Sequence, residues 1–393
     1  MSQRYDIAVV GAGMVGAVVA YALARRGKHV ALIESSPVVE RDGSADTEYD
    51  IRVSAISPGS RDFLRQLGIW QRLDVQRVCN YEQMYIWHEN GDANLSFDAV
   101  DLARDDLGAI VENRLLLYGL HDACSQQNNI DWYRPERVNE MLANDVNGVA
   151  LRLESGVIIE TDWLIAADGR GSPTREMVGL IADFDDYAQT AFVANVDTSQ
   201  THASTAWQRF LATGPLAFLP LANGQSSIVW SCDDDFAEQV AAVDDSCFCT
   251  MLGEAFEFRL GEVTACGARA SFKLGWHVCE NWVEQRVLLI GDAAHSVHPL
   301  AGQGVNLGFS DAELLLNLMD QNNGILAARL LRCYERQRKS ETWLASQSLG
   351  GLKWVYGLEQ KPLTDLRNLG MKVIDKTPWL KRELMRKAVQ NLT

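Results

Sequence analysis

Near the start of the chain an apolar strand pattern, Asp6 to Val10, runs directly into Gly11-Ala12-Gly13-Met14-Val15-Gly16 and then into a helical pattern. Few backbones satisfy that spacing. Gly11 permits a tight turn, Gly13 lets backbone approach a pyrophosphate, and Gly16 lets the helix pack closely on the strand, while the helix N-terminus stabilises phosphate charge. A second strand pattern, Val30 to Ile33, ends at Glu34, which is placed to accept hydrogen bonds from ribose hydroxyls. Strand, glycine turn, helix, strand and acid in this order predict a βαβ unit that binds a dinucleotide, without separating NAD from FAD.

The 393 residues suit one large domain with an insertion, or two domains sharing a core. Apolar runs such as 287–290 and the glycine-interrupted 7–24 are too short or too polar-flanked to cross about 30 Å of hydrocarbon. Met1 to Asp6 leads into a strand without a separate apolar region, so a cytoplasmic location is expected. A net charge of −16 argues against nucleic acid as a partner. The charge is uneven: residues 351–393 hold nine Lys or Arg against four acids, a local +5 that leaves −21 on the other 350. Eight cysteines contain no Cys-x-x-Cys pair and read as reduced structural thiols. His295 and His298 stand three apart, and one such pair is weak evidence for a metal, so no metal site is predicted.

The coarse pattern is α/β. A helix is expected from about Ser57 to Leu67, opening on Ser57-Pro58 and closing at Gly68, and another over Leu115 to Cys124. Strands are expected at 149–153, 156–160 and 163–167, followed by a β-rich, aromatic stretch over 181–280. A strand at Val287 to Ile290 and a long helix from near Gly304 then return to the opening pattern.

Two further motifs follow apolar strands. In Ala166-Ala167-Asp168-Gly169-Arg170-Gly171-Ser172-Pro173-Thr174-Arg175, the loop composition brings backbone donors and an Arg towards anionic phosphate and leaves a path for a second nucleotide. In Gly291-Asp292-Ala293-Ala294-His295, continued by His298-Pro299-Leu300-Ala301-Gly302-Gln303-Gly304-Val305-Asn306, Asp292 leaves a buried strand, where an acid needs hydroxyl or amide partners that a ribityl chain supplies. Gly302 and Gly304 let backbone lie against a flat ring, and the helix starting there aims its positive end at the ring edge.

Together these motifs resemble the group A flavin monooxygenases, with the fold of para-hydroxybenzoate hydroxylase. More narrowly, Arg52-Val53-Ser54-Ala55-Ile56-Ser57, Val111-Glu112-Asn113, Gly214 to Leu221, Gly291 to Gly308 with Asp311, and Tyr334 to Lys339 resemble the ubiquinone-biosynthesis hydroxylases of the 2-polyprenylphenol hydroxylase type. The resemblance implies a Rossmann-like FAD-binding domain over 1–74, 102–180 and 281–350, a discontinuous β-rich substrate domain over 75–101 and 181–280, and a helical C-terminal segment over 351–393. It implies that Gly11, Gly13, Gly16 and Glu34 bind the ADP half of FAD, and that Asp168 and Gly169 serve FAD and NAD(P)H together. Gly291 and Asp292 would hold the ribityl chain, Pro299, Gly302, Gln303, Gly304, Val305 and Asn306 would border the isoalloxazine, and Arg52 would lie near its dimethylbenzene side. Two stretches depart from the family pattern: His277 to Trp282, and the ending Ala388 to Thr393.

The implied reaction is hydroxylation of an aromatic ring by NAD(P)H and O2 through a flavin C4a-hydroperoxide, on a polyprenylated phenol. No nucleophile, triad or catalytic base is identifiable. Trp207, Phe210, Phe218, Trp230 and Phe272 are expected to roof the substrate. Other readings are a hydroxylase of a small soluble aromatic, a reductase of isoprenoid double bonds, and a non-catalytic flavin subunit of a biosynthetic complex. In the tail, Leu380, Leu384, Met385, Ala388 and Leu392 oppose Lys381, Arg382, Arg386 and Lys387, beside Trp379. That stripe suits either a membrane surface, possible in association with other ubiquinone-biosynthesis proteins, or packing on the body of the protein.

Overall fold

The computed structural model describes residues 3–38, 48–89, 94–296, 304–356 and 377–389. Strand Gln3–Val10 is buried on both faces from Ile7 onward, as a central parallel strand must be. It pairs in parallel with Val30–Ile33 on one side and Ile158–Ala166 on the other, and the sheet continues to Ile130–Tyr133 and Val287–Leu289. The expected strands 156–160 and 163–167 are one strand, Ile158–Ala166. Burial alternates through Thr161 without a break, because the Thr161 hydroxyl donates to Trp163 O at 2.9 Å and a polar residue in mid-strand is satisfied locally.

Helix Met14–Arg25 buries Gly16 through Ala24 against the sheet and against helices Asn113–Ser125 and Gly304–Gln321. The opposite face is closed by the antiparallel ribbon Val138–Asp145 and Gly148–Leu153, whose Val149 and Leu151 pack with Ala8, Val10 and Ile33. Helix Pro58–Gln66 opens as its sequence requires, with Pro58 in the first turn and the Ser57 hydroxyl accepting from Ser60 N.

The second large sheet is built on the strand Ala182–Thr198, flanked by Ala270–Cys279 and Ser226–Asp233. Its outer face carries Phe192, Phe218, Ile228 and Trp230, covered by helices Asp234–Ala242 and Asp245–Ala255, which interrupt a stretch expected to be β-rich throughout. The Asp244 carboxylate caps the second of them by accepting from Cys247 N. A three-stranded sheet, Val53–Ile56, Gly108–Glu112 and Cys79–Tyr81, completes the frame. The C-terminal helix Pro378–Val389 seats Met385 in an apolar cluster with Ala55, Tyr81, Ile110 and Leu219.

Candidate functional site

The first glycine motif divides by what each glycine faces. Gly11 has φ +94°, and a Cβ there would lie 2.4 Å from Ala167 O; at Gly16 it would lie 1.9 Å from Gly11 O. At Gly13 a Cβ would meet nothing within 4 Å. Gly11 and Gly16 are therefore needed by the fold, whereas Gly13 keeps space open at the helix N-terminus. Glu34 is fixed beside this turn, accepting from Ala12 N and Ser36 N, each at 2.7 Å. Burial works against its charge, but the Ser36 and Ala12 N–H groups outweigh it and hold the carboxyl below its usual range. His121, which sequence reasoning missed, contacts Ala12 O through Nε2 at 2.7 Å and is pushed down by burial. The neutral ring donates that hydrogen bond.

Gly13 opens into a cavity of about 470 Å³. Its walls bring together Gly13, Arg52, Gly169, Asp292, Gly304 and Val305 from widely separated parts of the sequence. Gly304 and Val305 form the first turn of their helix, so its positive end meets the cavity. Pro299, Gly302 and Gln303 lie outside the described residues. Asn306 directs its side chain elsewhere: Nδ2 donates to Ala55 O at 2.8 Å and Oδ1 accepts from Ser57 N at 3.0 Å, tying this helix to the Arg52–Ser57 segment.

The Asp168 motif resolves into a cap and a cation. Asp168 accepts from Ser172 Oγ and from Thr174 N, organising the turn before the short helix Pro173–Met177, while Gly169 takes φ +85°. Arg175 is not the phosphate-facing Arg that the motif suggests. It is 2% exposed and donates to Arg170 O and Ala293 O, clamping the Asp168 loop to the Asp292 loop. Arg170, not singled out from sequence, is the Arg of this loop that lines the cavity.

Asp292 is exposed to the cavity yet has protein on most sides, and this desolvation raises its carboxyl above the usual range. His295 opposes the rise, Asp311 adds to it, and Arg52 and Arg170 pull it back. Beneath the loop, Asp311 is fully buried and accepts from Gly291 N at 2.8 Å and Arg338 Nε at 2.7 Å, with His295 Nε2 also at 2.8 Å. Burial disfavours its charge, but His295 and Arg338 overcome this and leave the carboxyl low. His277, within the stretch that departs from the family pattern, holds the Asp292 carbonyl through Nε2 at 2.9 Å.

Open backbone at Gly13, an acid held at the end of the second strand, a carboxylate over the cavity floor and two Arg on its walls form a cradle that fits FAD. Comparison with known proteins gives the same reading. A sequence profile of the FAD binding domain family matches residues 4–348. The mitochondrial ubiquinone biosynthesis monooxygenase of Danio rerio is 32% identical over 98% of this chain and 89% of its own length. The 3-demethoxyubiquinol 3-hydroxylase of Escherichia coli K12 is 31% identical over 99% of each. The chain belongs to the ubiquinone-biosynthesis hydroxylase family of FAD-dependent monooxygenases. Its fold is shared with p-nitrophenol 4-monooxygenase from Pseudomonas putida DLL-E4, at TM-score 0.80 and 19% identity over 100% of this chain and 99% of that one.

In this FAD-dependent hydroxylase the aromatic roof differs from expectation. Of Trp207, Phe210, Phe218, Trp230 and Phe272, only Phe272 lines the cavity; Phe218 and Trp230 belong to the opposite face of the sheet, with Trp207 packed against their cluster. Strand alternation is the reason, since residues one apart point to opposite faces. The cavity face is aliphatic, formed by Val193, Val229 and Leu274 beside Phe272.

Proposed function

We propose that this enzyme hydroxylates a polyprenylated phenol in ubiquinone biosynthesis, with NAD(P)H as a transient reductant and O2 as co-substrate. The observation that carries the reading is a single cavity running from the dinucleotide cradle to an apolar sheet wall, Val193, Val229, Phe272 and Leu274. A charged soluble aromatic would call for a free ionic partner on that wall; the side chains there are mainly aliphatic, and the wall's cation, Lys273, is paired with Asp234 at 2.7 Å. FAD held there would pass the two electrons of NAD(P)H to O2, one oxygen atom of which would enter the ring while the other left as water.

The chain binds and orients. Gly13 admits the pyrophosphate beside Gly11 and Gly16, and Glu34 accepts from ribose hydroxyls. Asp292, on the loop begun by Gly291, accepts from the ribityl chain. The helix end at Gly304, Val305 and Asn306 places positive potential beside the ring, and Pro299, Gly302 and Gln303 precede it in the sequence. Arg52 borders the ring edge, and Asp168 and Gly169 shape the approach of the reductant.

Contact with a membrane surface is part of the proposal. Among the described residues no helix is long and apolar enough to cross a bilayer. The C-terminal helix buries Met385 but leaves Trp379 at 71% exposure, with Arg382 and Arg386 also exposed. A basic surface with an exposed Trp suits an anionic interface from which an apolar substrate can be drawn. Mass spectrometry of quinone precursors accumulating in a deletion strain tests the reaction. A precursor lacking one ring hydroxyl is expected, and an unchanged quinone profile overturns the reading.

A further inference from the structure

On the sheet face that borders the cavity, two polar side chains each have an oxygen that the fold leaves unpaired. In the sheet register Asn195 lies directly opposite Ser227, two residues from the opposed pair Val193 and Val229. Residues two apart share a face, so all four belong to the face bordering the cavity, and Val193, Ser227 and Val229 line it. Leu219, opposite Ser227 on the next strand, extends the apolar surround. Ser227 is 0% exposed and Asn195 6%.

The Asn195 amide has a fixed orientation. Its Nδ2 donates to Tyr49 O at 3.0 Å and Asp50 O at 3.3 Å, immediately before the cavity residues Ile51 and Arg52. That leaves Oδ1, which has no hydrogen-bond partner, and neither has the Ser227 hydroxyl. Buried polar atoms in folded proteins are almost always paired, and two unpaired ones directly opposite each other on adjacent strands, beside the lining residues Val193 and Val229, leave hydrogen bonds for a ligand to make. Ser226 also has an unpaired hydroxyl, but it points to the opposite face with Ile228 and Trp230 and lies outside this pair.

We infer that Asn195 and Ser227 read a free hydroxyl on the substrate ring. This deepens the substrate reading above and rests on it. An amide oxygen only accepts, whereas a serine hydroxyl donates and accepts. A phenolic O–H satisfies both by donating to Asn195 Oδ1 and accepting from Ser227 Oγ; a methoxy group has no proton to give and leaves Asn195 unpaired. The same contact holds the ring in one orientation and, by drawing on the phenolic proton, keeps electron density on the ring that is to be hydroxylated.

The test uses the FAD-loaded enzyme, with 2-prenylphenol and its O-methyl ether as probes. Binding is read from the flavin absorbance change, and turnover from phenol-stimulated NADPH oxidation. The phenol is expected to bind at least about tenfold more tightly than the ether. Ser227→Ala and Asn195→Leu are expected to weaken phenol binding about tenfold and leave the ether unchanged, while Ser227→Thr and Ser226→Ala keep the preference. If Asn195→Leu does not retain FAD, Ser227→Ala decides alone. Equal weakening of both probes, or an unchanged preference, means that the pair holds only structural water and overturns the inference. If the phenol neither binds nor stimulates NADPH oxidation in the unaltered enzyme, the substrate reading falls and this inference with it.

Discussion

Gly13 and Gly16 are three residues apart in one motif, yet their side-chain vectors meet different things, and substitutions should separate folding from cofactor binding. Gly13 has φ −63° and open space beyond its α-carbon, so Gly13→Val is expected to fold with an unchanged melting temperature but to lose FAD at least tenfold. Gly16→Val drives a side chain into Gly11 O and is expected not to fold. Thermal melts of apo-protein together with flavin content check both. Asp292→Ala should also release FAD without altering the apo-protein melt, since Asp292 faces the cavity and makes no side-chain hydrogen bond among the described residues. His277 offers a pH test. Burial and the Arg175 guanidinium lower its pKa to about 4, from about 6.5 when unfolded. The unfolded chain therefore binds the proton more readily, so stability is complete above about pH 6.5 and is lost as pH falls towards 4, by up to roughly 3 kcal/mol. Denaturant titrations of the unaltered chain and of His277→Gln should show this limb only in the former.

Between elements, the Asp311 cluster joins the start of the Asp292 loop, helix Gly304–Gln321 and helix Ala328–Tyr356. Arg338 also pairs with Glu341 and donates to Leu307 O at 3.2 Å. Removing one partner from a buried ion cluster leaves the other charge uncompensated, so Arg338→Met is expected to cost about 3–5 kcal/mol in urea unfolding. The double variant Asp311→Asn/Arg338→Met should recover part of that loss, and a double variant as unstable as the sum of the singles would contradict the account. The element-level pattern was legible where local chemistry decides it: the Ser57-Pro58 helix start, the Val30–Ile33 strand and the long helix from Gly304 appear in the sequence and in the structure. It was not legible at Thr161, where a side-chain hydrogen bond carries one strand through a polar residue, nor in the helices of 234–255, whose apolar faces exist only against the outer face of the sheet.

For the whole molecule, the basic tail and the acidic body meet through the C-terminal helix. Met385 fixes it to the core, and Lys381 approaches Asp101 at 4.0 Å. Met385→Ala is expected to lower stability by about 2 kcal/mol, read by denaturant unfolding. The double substitution Trp379→Glu/Arg382→Glu leaves that anchor intact and is expected to abolish sedimentation with anionic liposomes without changing the melting temperature. Undiminished sedimentation would show that the helix serves only packing.

The sequence by itself determined a dinucleotide cradle, because such a cradle depends on glycine at fixed spacing, an acid at a strand end and a helix start, all of which are local; FAD and the enzyme family were legible only through the family resemblance that the three motifs carry together. It also named Gly13, Arg52, Gly169, Asp292, Gly304 and Val305, which the folded chain gathers around one cavity. Only the tertiary structure decided which Arg of the Asp168 loop faces that cavity, that the Asn306 amide locks the Arg52–Ser57 segment, and that Val193 and Val229, not Trp230 and Phe218, line the cavity wall. Those outcomes depend on strand register and on which sheet face is covered. Neither property belongs to a residue or to its neighbours in sequence; both arise when strands distant in the chain pair and one face is buried.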